Sequence, residues 1–165
     1  MVELEPRGDE RGNFARSFCM REMQAAGLAM QVAQVNLCCS IRRGTLRGMH
    51  FQATPFAEAK LVRCVRGSMY DVSLDVRSDS PTFGQSWGVE LSGANRLAVY
   101  LPKGIAHGYL TLTDDCEVLY LTDEFHSPEW ERGIRWNDPR FNLHWPFEPL
   151  VLSERDRSHP DFETP

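Results

Sequence analysis

Polar and apolar residues alternate along the middle of the chain with the two-residue period of β-strands. Between Asp71 and Arg77, polar side chains alternate with Val72, Leu74 and Val76, which predicts a strand with one solvent-facing side. Further runs rich in β-branched and aromatic residues follow, and clusters of Gly, Pro and Asp separate them. We predict strands at residues 87–91, 97–101, 109–113 and 116–122.

Many short strands at close spacing are typical of a sandwich or a barrel. The helical pattern is confined to residues 18–26 and ends at Gly27, a residue suited to a helix C-cap. From Trp136 onward the chain is rich in Pro, Asp and aromatic residues that need burial, so we expect it to wrap around the barrel. We predict one domain over residues 1–165: an all-β, cupin-like antiparallel jelly-roll barrel with a few short peripheral helices and a ligand in the barrel mouth.

Composition excludes several classes of function. The formal charge of −5 and the sequence pI near 5.5 argue against nucleic acid as a partner, because a phosphate backbone needs a basic face. No apolar run resembles a signal peptide or a membrane span, so we expect no membrane partner. The five cysteines are odd in number and lack CxxC spacing, which argues against a disulfide framework and a zinc ribbon. We therefore expect a cytoplasmic protein.

Candidate acid-base residues are spread over several predicted strands. Arg47 and His50 lie three residues apart, and Lys60 begins the next strand, which would suit an anionic ligand with a reacting carbon nearby. A single histidine is more often a structural residue satisfied by a backbone carbonyl. Tyr120 could be an acid or an ordinary core aromatic, and Asp156 could orient a histidine or lie in solvent.

A second motif supports the fold more than the chemistry. Residues 102–107 read PKGIAH, the P-x-G-x-x-H form in which a turn delivers His107 into a cupin barrel. Metal-binding cupins have H-x-H and then a glutamate in their first motif, whereas here Phe51 and Gln52 follow His50. Two histidines are too few for a first-row metal, although Glu58 could in principle supplement them. We predict no metal.

An ordered series of short motifs runs along nearly the whole chain, from Asp9 to Asp156. The pieces are DERGNF at 9–14, QVN at 34–36, LRGMHFQ at 46–52, KLV at 60–62, DVSLDVR at 71–77, SPTFG at 80–84, PKGIAHG at 102–108, WNDP at 136–139 and LS at 152–153. The series resembles the dTDP-4-dehydrorhamnose 3,5-epimerase family, a cupin-type jelly-roll family. Each piece alone is weak, but their order is highly specific.

The resemblance implies catalytic and substrate-binding roles for particular residues. His50 would be the general base, oriented by Asp156, and Tyr120 the general acid on the opposite side of the sugar ring. Lys60 would stabilise the enolate oxygen at C4. The implied substrate contacts are His107, held by Asp71, against the sugar, Arg11, Arg47 and Arg155 at the diphosphate, and Gln34, Asn36 and Phe14 near the nucleoside.

The implied reaction is the epimerisation of a nucleotide-linked 4-keto-6-deoxyhexose at C3, C5 or both. Both carbons flank the C4 ketone, so removal of either proton gives an enolate that an ammonium group can stabilise. A base and an acid on opposite walls invert the centre without redox chemistry, which agrees with the lack of a nicotinamide-binding fingerprint. The resemblance thus implies an isomerase with no cofactor that forms a homodimer.

Departures from the family pattern leave alternatives open. Arg16 stands where the family usually has a glutamate, and His126 where it has a base-stacking tyrosine, so both belong to the predicted substrate contacts. The chain also begins later than is usual in the family. Whether it keeps all of the edge strand that family members exchange between subunits is therefore left open. A CDP- or GDP-linked substrate, epimerisation at one carbon, a keto-isomerase and a non-catalytic sugar-nucleotide-binding cupin remain as alternatives.

Overall fold

Two antiparallel sheets make up most of the protein. The computed structural model describes residues 1–28 and 30–163 and contains, within them, eleven strands and two short helices. Their bounds are β1 Arg7–Asp9, β2 Gly12–Phe14, α1 Met20–Ala25, β3 Gln34–Ser40, β4 Leu46–Gln52, β5 Lys60–Arg66, β6 Ser68–Asp75, β7 Ser86–Ser92, β8 Ala98–Leu101, β9 Ile105–Thr111, β10 Cys116–Thr122, β11 Glu131–Gly133 and α2 Glu154–Ser158.

The sheet order is that of a jelly roll. One sheet has the order β3-β10-β5-β8 and the other β11-β4-β9-β6-β7, while β1 and β2 form a separate hairpin. The main core lies between the two sheets, where Val62 and Val118 of the first pack with Met69 and Leu91 of the second. The predicted all-β, cupin-like barrel is therefore confirmed.

Several predicted elements agree with the structure and one is wrong at its start. The predicted strand at residues 116–122 coincides with β10, and the predicted helix is present as the shorter α1, followed by Gly27 with a φ of +74°. The strand predicted to start at residue 109 instead starts at Ile105, because the chain turns at Gly104 and re-enters the sheet at once. Helix α2 was not predicted.

The expectation that β6 has a solvent-facing side is wrong. Asp71 and Asp75 are both fully buried, because each faces polar partners within the protein, His107 of the adjacent strand β9 in the case of Asp71. Asp75 accepts hydrogen bonds from Arg77, Ser80 and Thr82 in the turn that follows the strand. The alternation of polar and apolar residues predicted the strand correctly, but these carboxylates form hydrogen bonds with protein groups and not with water.

The carboxyl-terminal segment covers the outer face of the five-stranded sheet, as predicted. Phe141 is buried with Leu74 and Ile134, and Trp145 and Phe162 pack against the same cluster. The segment ends in α2, close to β4. This wrap carries Asp156 to the barrel mouth.

Neither described helix has the length and apolar character needed to cross a lipid bilayer.

Candidate active site

An irregularity in β4 brings Arg47 and His50 to the same cavity. Residues three apart in a regular strand point to opposite faces, but the register of β4 against β9 shifts between these two. Gly48 lies at the shift with a φ of +114°, and a Cβ atom there would lie 2.6 Å from Cα of Gly108. Glycine is required at this position by both conformation and space, and the shift turns both side chains inward.

A cavity of about 520 Å³ opens between the sheets and collects the predicted catalytic residues. His50 comes from β4, Lys60 from β5, Tyr120 from β10 and Asp156 from α2. Arg47, His107 and Arg155, predicted to contact the sugar and the diphosphate, line the same cavity. Five separate elements, with β9 supplying His107, therefore meet at one site.

His50 and Asp156 form a tight pair. Nε2 of His50 lies 2.6 Å from Oδ1 of Asp156, and the backbone N–H of Gly48 donates to Oδ2 at 3.4 Å. Asp156 is only 4% exposed. Burial acts to raise the pKa of Asp156, but the hydrogen bond and electrostatic attraction from His50, with help from Gly48 and Ser153, outweigh it and lower that pKa. The carboxylate thus stays ionised and holds Nε2, which leaves Nδ1 of His50 for proton abstraction.

A second histidine has its own carboxylate. Nε2 of His107 lies 2.6 Å from Oδ2 of Asp71, which agrees with the partnership expected between them. The other oxygen of Asp71 is buried without a hydrogen-bond partner among the described residues. Asp71 thus fixes the orientation of the His107 ring on the cavity wall.

Lys60 and Tyr120 supply a cation and an acid. Nζ of Lys60 lies 2.9 Å from Oε1 of Glu58, and both side chains are largely buried. Burial, followed by the electrostatic effects of nearby Cys38 and Glu58, raises the pKa of Tyr120, so its phenol keeps its proton throughout the neutral range. A protonated phenol can donate to a carbanion, whereas a phenolate cannot.

A second cavity of about 370 Å³ adjoins the first and shares His50, Lys60 and Tyr120 with it. Gln34, Asn36 and His126 line it, as expected of contacts to a nucleoside. The side-chain oxygen of Gln34 accepts a hydrogen bond of 2.7 Å from the backbone N–H of His126. The two cavities together offer an extended groove for a ligand larger than a sugar.

Three predicted substrate contacts line neither cavity. Arg11 pairs with Asp9 in the β1–β2 hairpin, and Phe14 is 69% exposed at the end of that hairpin. Arg16 pairs with Glu22 of α1 at 2.8 Å. In the single chain these residues lie apart from the groove.

Two groups at the site were not identified from sequence. Glu131 lies in the second cavity and pairs with Arg155 at 3.0 Å, and nothing in its sequence context indicated this. Tyr109 donates a hydrogen bond of 3.1 Å to Sγ of Cys38, and burial raises its pKa. Its position two residues after His107, on the same strand face, was the available signal.

A third histidine lies behind the His50–Asp156 pair. Nε2 of His159 lies 4.0 Å from Oδ1 of Asp156, and its pKa is lowered by burial and then by nearby His50. Ligand atoms of His50, Asp156 and His159 all lie within 4.8 Å of one another, so within the described chain this is the group able to hold a metal ion. The Asp-x-x-His spacing was visible in the sequence but was not singled out.

The arrangement is suited to moving protons beside a carbonyl group. A carboxylate-held imidazole, a protonated phenol and a lysine ammonium surround one cavity, and guanidinium groups stand at its edge. These are the parts needed to abstract a proton, stabilise an enolate and return a proton.

Comparisons with known proteins agree with this chemistry. The model of the family described as dTDP-4-dehydrorhamnose 3,5-epimerase matches residues 1–164. A dTDP-4-dehydrorhamnose 3,5-epimerase of Shigella flexneri is 44% identical over 156 residues, which cover 93% of this chain and 86% of that protein. A dTDP-4-dehydrorhamnose 3-epimerase of Streptomyces niveus is 40% identical over 157 residues, or 94% of this chain and 75% of that protein.

A solved structure is similar over nearly the full chain. The crystal structure of dTDP-4-dehydrorhamnose 3,5-epimerase from Bacillus anthracis, with TDP and PPi bound, has a TM-score of 0.94 and 39% sequence identity. The similarity covers 97% of this chain and 91% of that one.

Proposed function

The chain belongs to the dTDP-4-dehydrorhamnose 3,5-epimerase family, and on that premise we propose that it converts dTDP-4-dehydro-6-deoxyglucose into dTDP-4-dehydrorhamnose. It is an isomerase that acts on a carbohydrate. The observation that carries the proposal is the convergence of His50, held by Asp156, with Tyr120 and Lys60 around one cavity.

The reaction proceeds by proton transfer at a carbon beside the C4 ketone. Nδ1 of His50 takes the proton, and the electron pair of the broken C–H bond moves into the enolate, whose oxygen the ammonium of Lys60 stabilises. Tyr120 then donates its phenolic proton to the opposite face of the same carbon, which inverts it. The substrate supplies all the electrons, so the mechanism uses no organic cofactor and no metal.

The groove matches the parts of a nucleotide sugar. Arg47 and Arg155 would bind the diphosphate and His107 would contact the sugar, which their positions along the main cavity support. Gln34, Asn36 and His126 would contact the nucleoside in the adjoining cavity. The TDP bound to the Bacillus anthracis protein supports a thymidine diphosphate ligand.

A homodimer would account for the residues that lie outside the groove. Strand β3 forms an open edge of its sheet, and its outward side chains Val35 and Leu37 are 60% and 59% exposed. Apolar side chains on a free strand edge favour pairing with a second chain. In the proposed dimer, the hairpin that carries Arg11 and Phe14 reaches the cavity of the other subunit, with Arg16 beside it.

A cytoplasmic location is part of the same proposal. All five cysteines carry free thiols, including Cys64 and Cys116, whose Sγ atoms lie 3.8 Å apart in the core. Thiols so close together persist unpaired in a reducing compartment.

Proton NMR in deuterium oxide tests the function. The protein is mixed with dTDP-4-keto-6-deoxyglucose, and the H3 and H5 signals of the sugar are followed separately. We expect both to be lost and the rhamno-configured product to form, and we expect neither change with His50→Ala. The exposed His144 provides the matched control, because His144→Asn should exchange both protons at the wild-type rate.

The pattern of exchange distinguishes the alternatives. Loss of H3 alone would show that the protein epimerises a single carbon. The name of the dTDP-4-dehydrorhamnose 3-epimerase of Streptomyces niveus describes the same reaction for that protein. If neither proton exchanges, the thymidine substrate is wrong, and CDP- and GDP-linked ketosugars are tested next. Binding without exchange of any of them would identify a non-catalytic sugar-nucleotide-binding protein.

A further inference from the structure

His159 has a ring nitrogen that points toward the catalytic pair without a partner. Its Nε2 atom is buried and makes no hydrogen bond among the described residues. The closest charged group is Oδ1 of Asp156, at 4.0 Å, and the ring stands edge-on to that of His50 with 6.3 Å between centroids. An unpaired buried nitrogen costs free energy unless it has a function or an unseen partner.

The fold makes space for this ring at a particular glycine. Gly133 lies opposite His50 in the β11–β4 ladder, and a Cβ atom at Gly133 would lie 2.0 Å from Nε2 of His159. Its φ is not positive, so space alone explains the glycine here. Any larger residue would push the ring away from Asp156.

We propose that His50, Asp156 and His159 form a binding site for a divalent transition-metal ion such as Zn²⁺, and that the bound ion inhibits the enzyme. Two imidazole nitrogens and a carboxylate oxygen are a ligand set that Zn²⁺ binds in many proteins. A water molecule would complete the tetrahedral coordination, as in other zinc sites with three protein ligands.

The distances require small side-chain shifts. Ligand atoms bound tetrahedrally to Zn²⁺ stand about 3.3 Å apart, as follows from bonds of about 2.0–2.1 Å. The His50–Asp156 distance of 2.6 Å would widen, and the 4.0 Å between His159 and Asp156 would shorten. These two changes are each about 0.7 Å, and the ligand atoms of His50 and His159, within 4.8 Å of each other, would close by at most about 1.5 Å through side-chain rotation.

The surrounding charges permit a dication. Arg155 on α2 is the nearby positive group, but it pairs at 3.0 Å with Glu131 on β11, which offsets its charge. Asp156 adds a second carboxylate at the site itself. Arg135 contacts His159 through the backbone carbonyl, at 3.4 Å, and so leaves the ring available as a ligand.

Inhibition follows from the loss of the base. A metal ion bound to Nε2 of His50 replaces its hydrogen bond to Asp156 and leaves the ring proton on Nδ1, so Nδ1 can no longer take a proton from the sugar. The inhibition rests on the proposed role of His50, whereas metal binding does not.

Binding is measured first, without turnover. The full-length protein is freed of metal with a chelator and titrated with ZnCl₂ by calorimetry, and with CoCl₂ by visible absorption. We expect one equivalent per chain and an absorption band typical of tetrahedral Co²⁺ that Zn²⁺ abolishes. In His159→Asn we expect Zn²⁺ affinity to fall at least about tenfold, since even a lost supporting contact costs about 10–100-fold.

Two control variants test whether metal binding depends on the ligand atom of His159. His144→Asn removes an exposed histidine and should leave both titrations unchanged, while His159→Phe keeps a ring against Gly133 but offers no ligand. Thermal unfolding verifies that each variant is folded. No binding to the wild type, or equal Zn²⁺ affinity in wild type, His159→Asn and His159→Phe, would overturn the proposed site.

Turnover then tests inhibition separately. In the NMR exchange assay, Zn²⁺ should slow the wild type and a chelator should restore it, while His159→Asn, active without metal, should need at least about tenfold more Zn²⁺ for the same effect. Saturating Zn²⁺ that leaves exchange unchanged would refute inhibition. A protein that binds Zn²⁺ through His159 but exchanges no sugar proton even without metal would instead contradict the proposed function.

Discussion

His50 and His107 are direct partners across the β4–β9 ladder, yet each binds a different buried carboxylate. Asp156 reaches His50 from α2, and Asp71 reaches His107 from the neighbouring strand β6. Both imidazoles line the same cavity, but their hydrogen bonds fix them in separate orientations. The two histidines therefore present two distinct groups to the cavity.

Loss of the carboxylate behind His50 should impair proton abstraction more than binding. Asp156→Asn removes the charge that stabilises the imidazolium and can favour the wrong tautomer, an effect that costs about 10⁴-fold in a serine protease triad. We expect kcat to fall by about 10²–10⁴-fold with little change in KM. The measurement is the rate of H3 and H5 exchange, and Glu154→Gln on the exposed side of α2 is the control. A decrease below twofold would contradict the role of Asp156.

Removal of the acid should separate exchange from inversion. In Tyr120→Phe, His50 can still abstract a proton and return one to the same face, but nothing donates from the other side. We expect deuterium to enter the substrate with retained configuration, while inversion falls by at least about 10²-fold. NMR of the recovered sugar distinguishes the two outcomes. If inversion and exchange decline in parallel, Tyr120 is not the donor to the opposite face.

Burial favours the neutral form of Tyr120 and so sets the sign of its pH dependence. Since the pKa of Tyr120 is raised, the phenol remains an acid up to and beyond its ordinary range near pH 10. The wild type should therefore keep the ratio of inversion to exchange constant from pH 6 to about pH 9. A ratio that falls within this window would contradict the raised pKa.

Neutralising Lys60 should raise the barrier to enolate formation. Lys60→Gln retains a hydrogen-bond donor but no charge, and loss of one electrostatic stabiliser in a buried site costs about 10²–10³-fold in kcat. Lys103, which is half exposed and pairs with Asp123, provides the control Lys103→Gln. Steady-state rates with saturating substrate make the comparison. Equal rates for both variants would remove Lys60 from the mechanism.

Asp75 should contribute to stability in a pH-dependent way. Arg77 first, and then Thr82 and Ser80, lower its pKa against the opposing effect of burial. A carboxylate whose pKa is lower when folded stabilises the protein above its unfolded pKa near 3.9, and this contribution is lost as the pH falls through the folded value. Asp75→Asn should cost about 3 kcal/mol of unfolding free energy at pH 7.

Denaturant unfolding at pH 7 and at pH 3 measures this contribution. The difference between wild type and Asp75→Asn should be largest at pH 7 and smaller at pH 3, where part of the wild-type advantage is gone. Asp79→Asn changes a neighbouring exposed carboxylate and should have little effect at either pH. A difference that grows on acidification would show that the sign is wrong.

Much of the fold could be predicted from sequence because strand periodicity is a local property. The alternation around Val72 and the run at β10 follow from which side chains face the core, and Gly27 ends α1 by its own conformational freedom. The polar side of β6 could not be predicted, because whether Asp71 meets water or His107 depends on which strands flank it. The local alternation of polar and apolar residues is the same whether the polar side of the strand meets water or another strand.

The sequence by itself determined the jelly-roll class and the family, and it supplied the acid-base residues that we propose, since ordered motifs and residue chemistry are readable along the chain. Tertiary structure alone decided that Arg47 and His50 face one cavity, that Asp156 and His159 meet behind His50, and that Arg11 and Phe14 lie away from that cavity. Those relationships depend on a register shift and on contacts between residues distant in sequence. Their geometry arises only when the two sheets and the wrapping tail pack together.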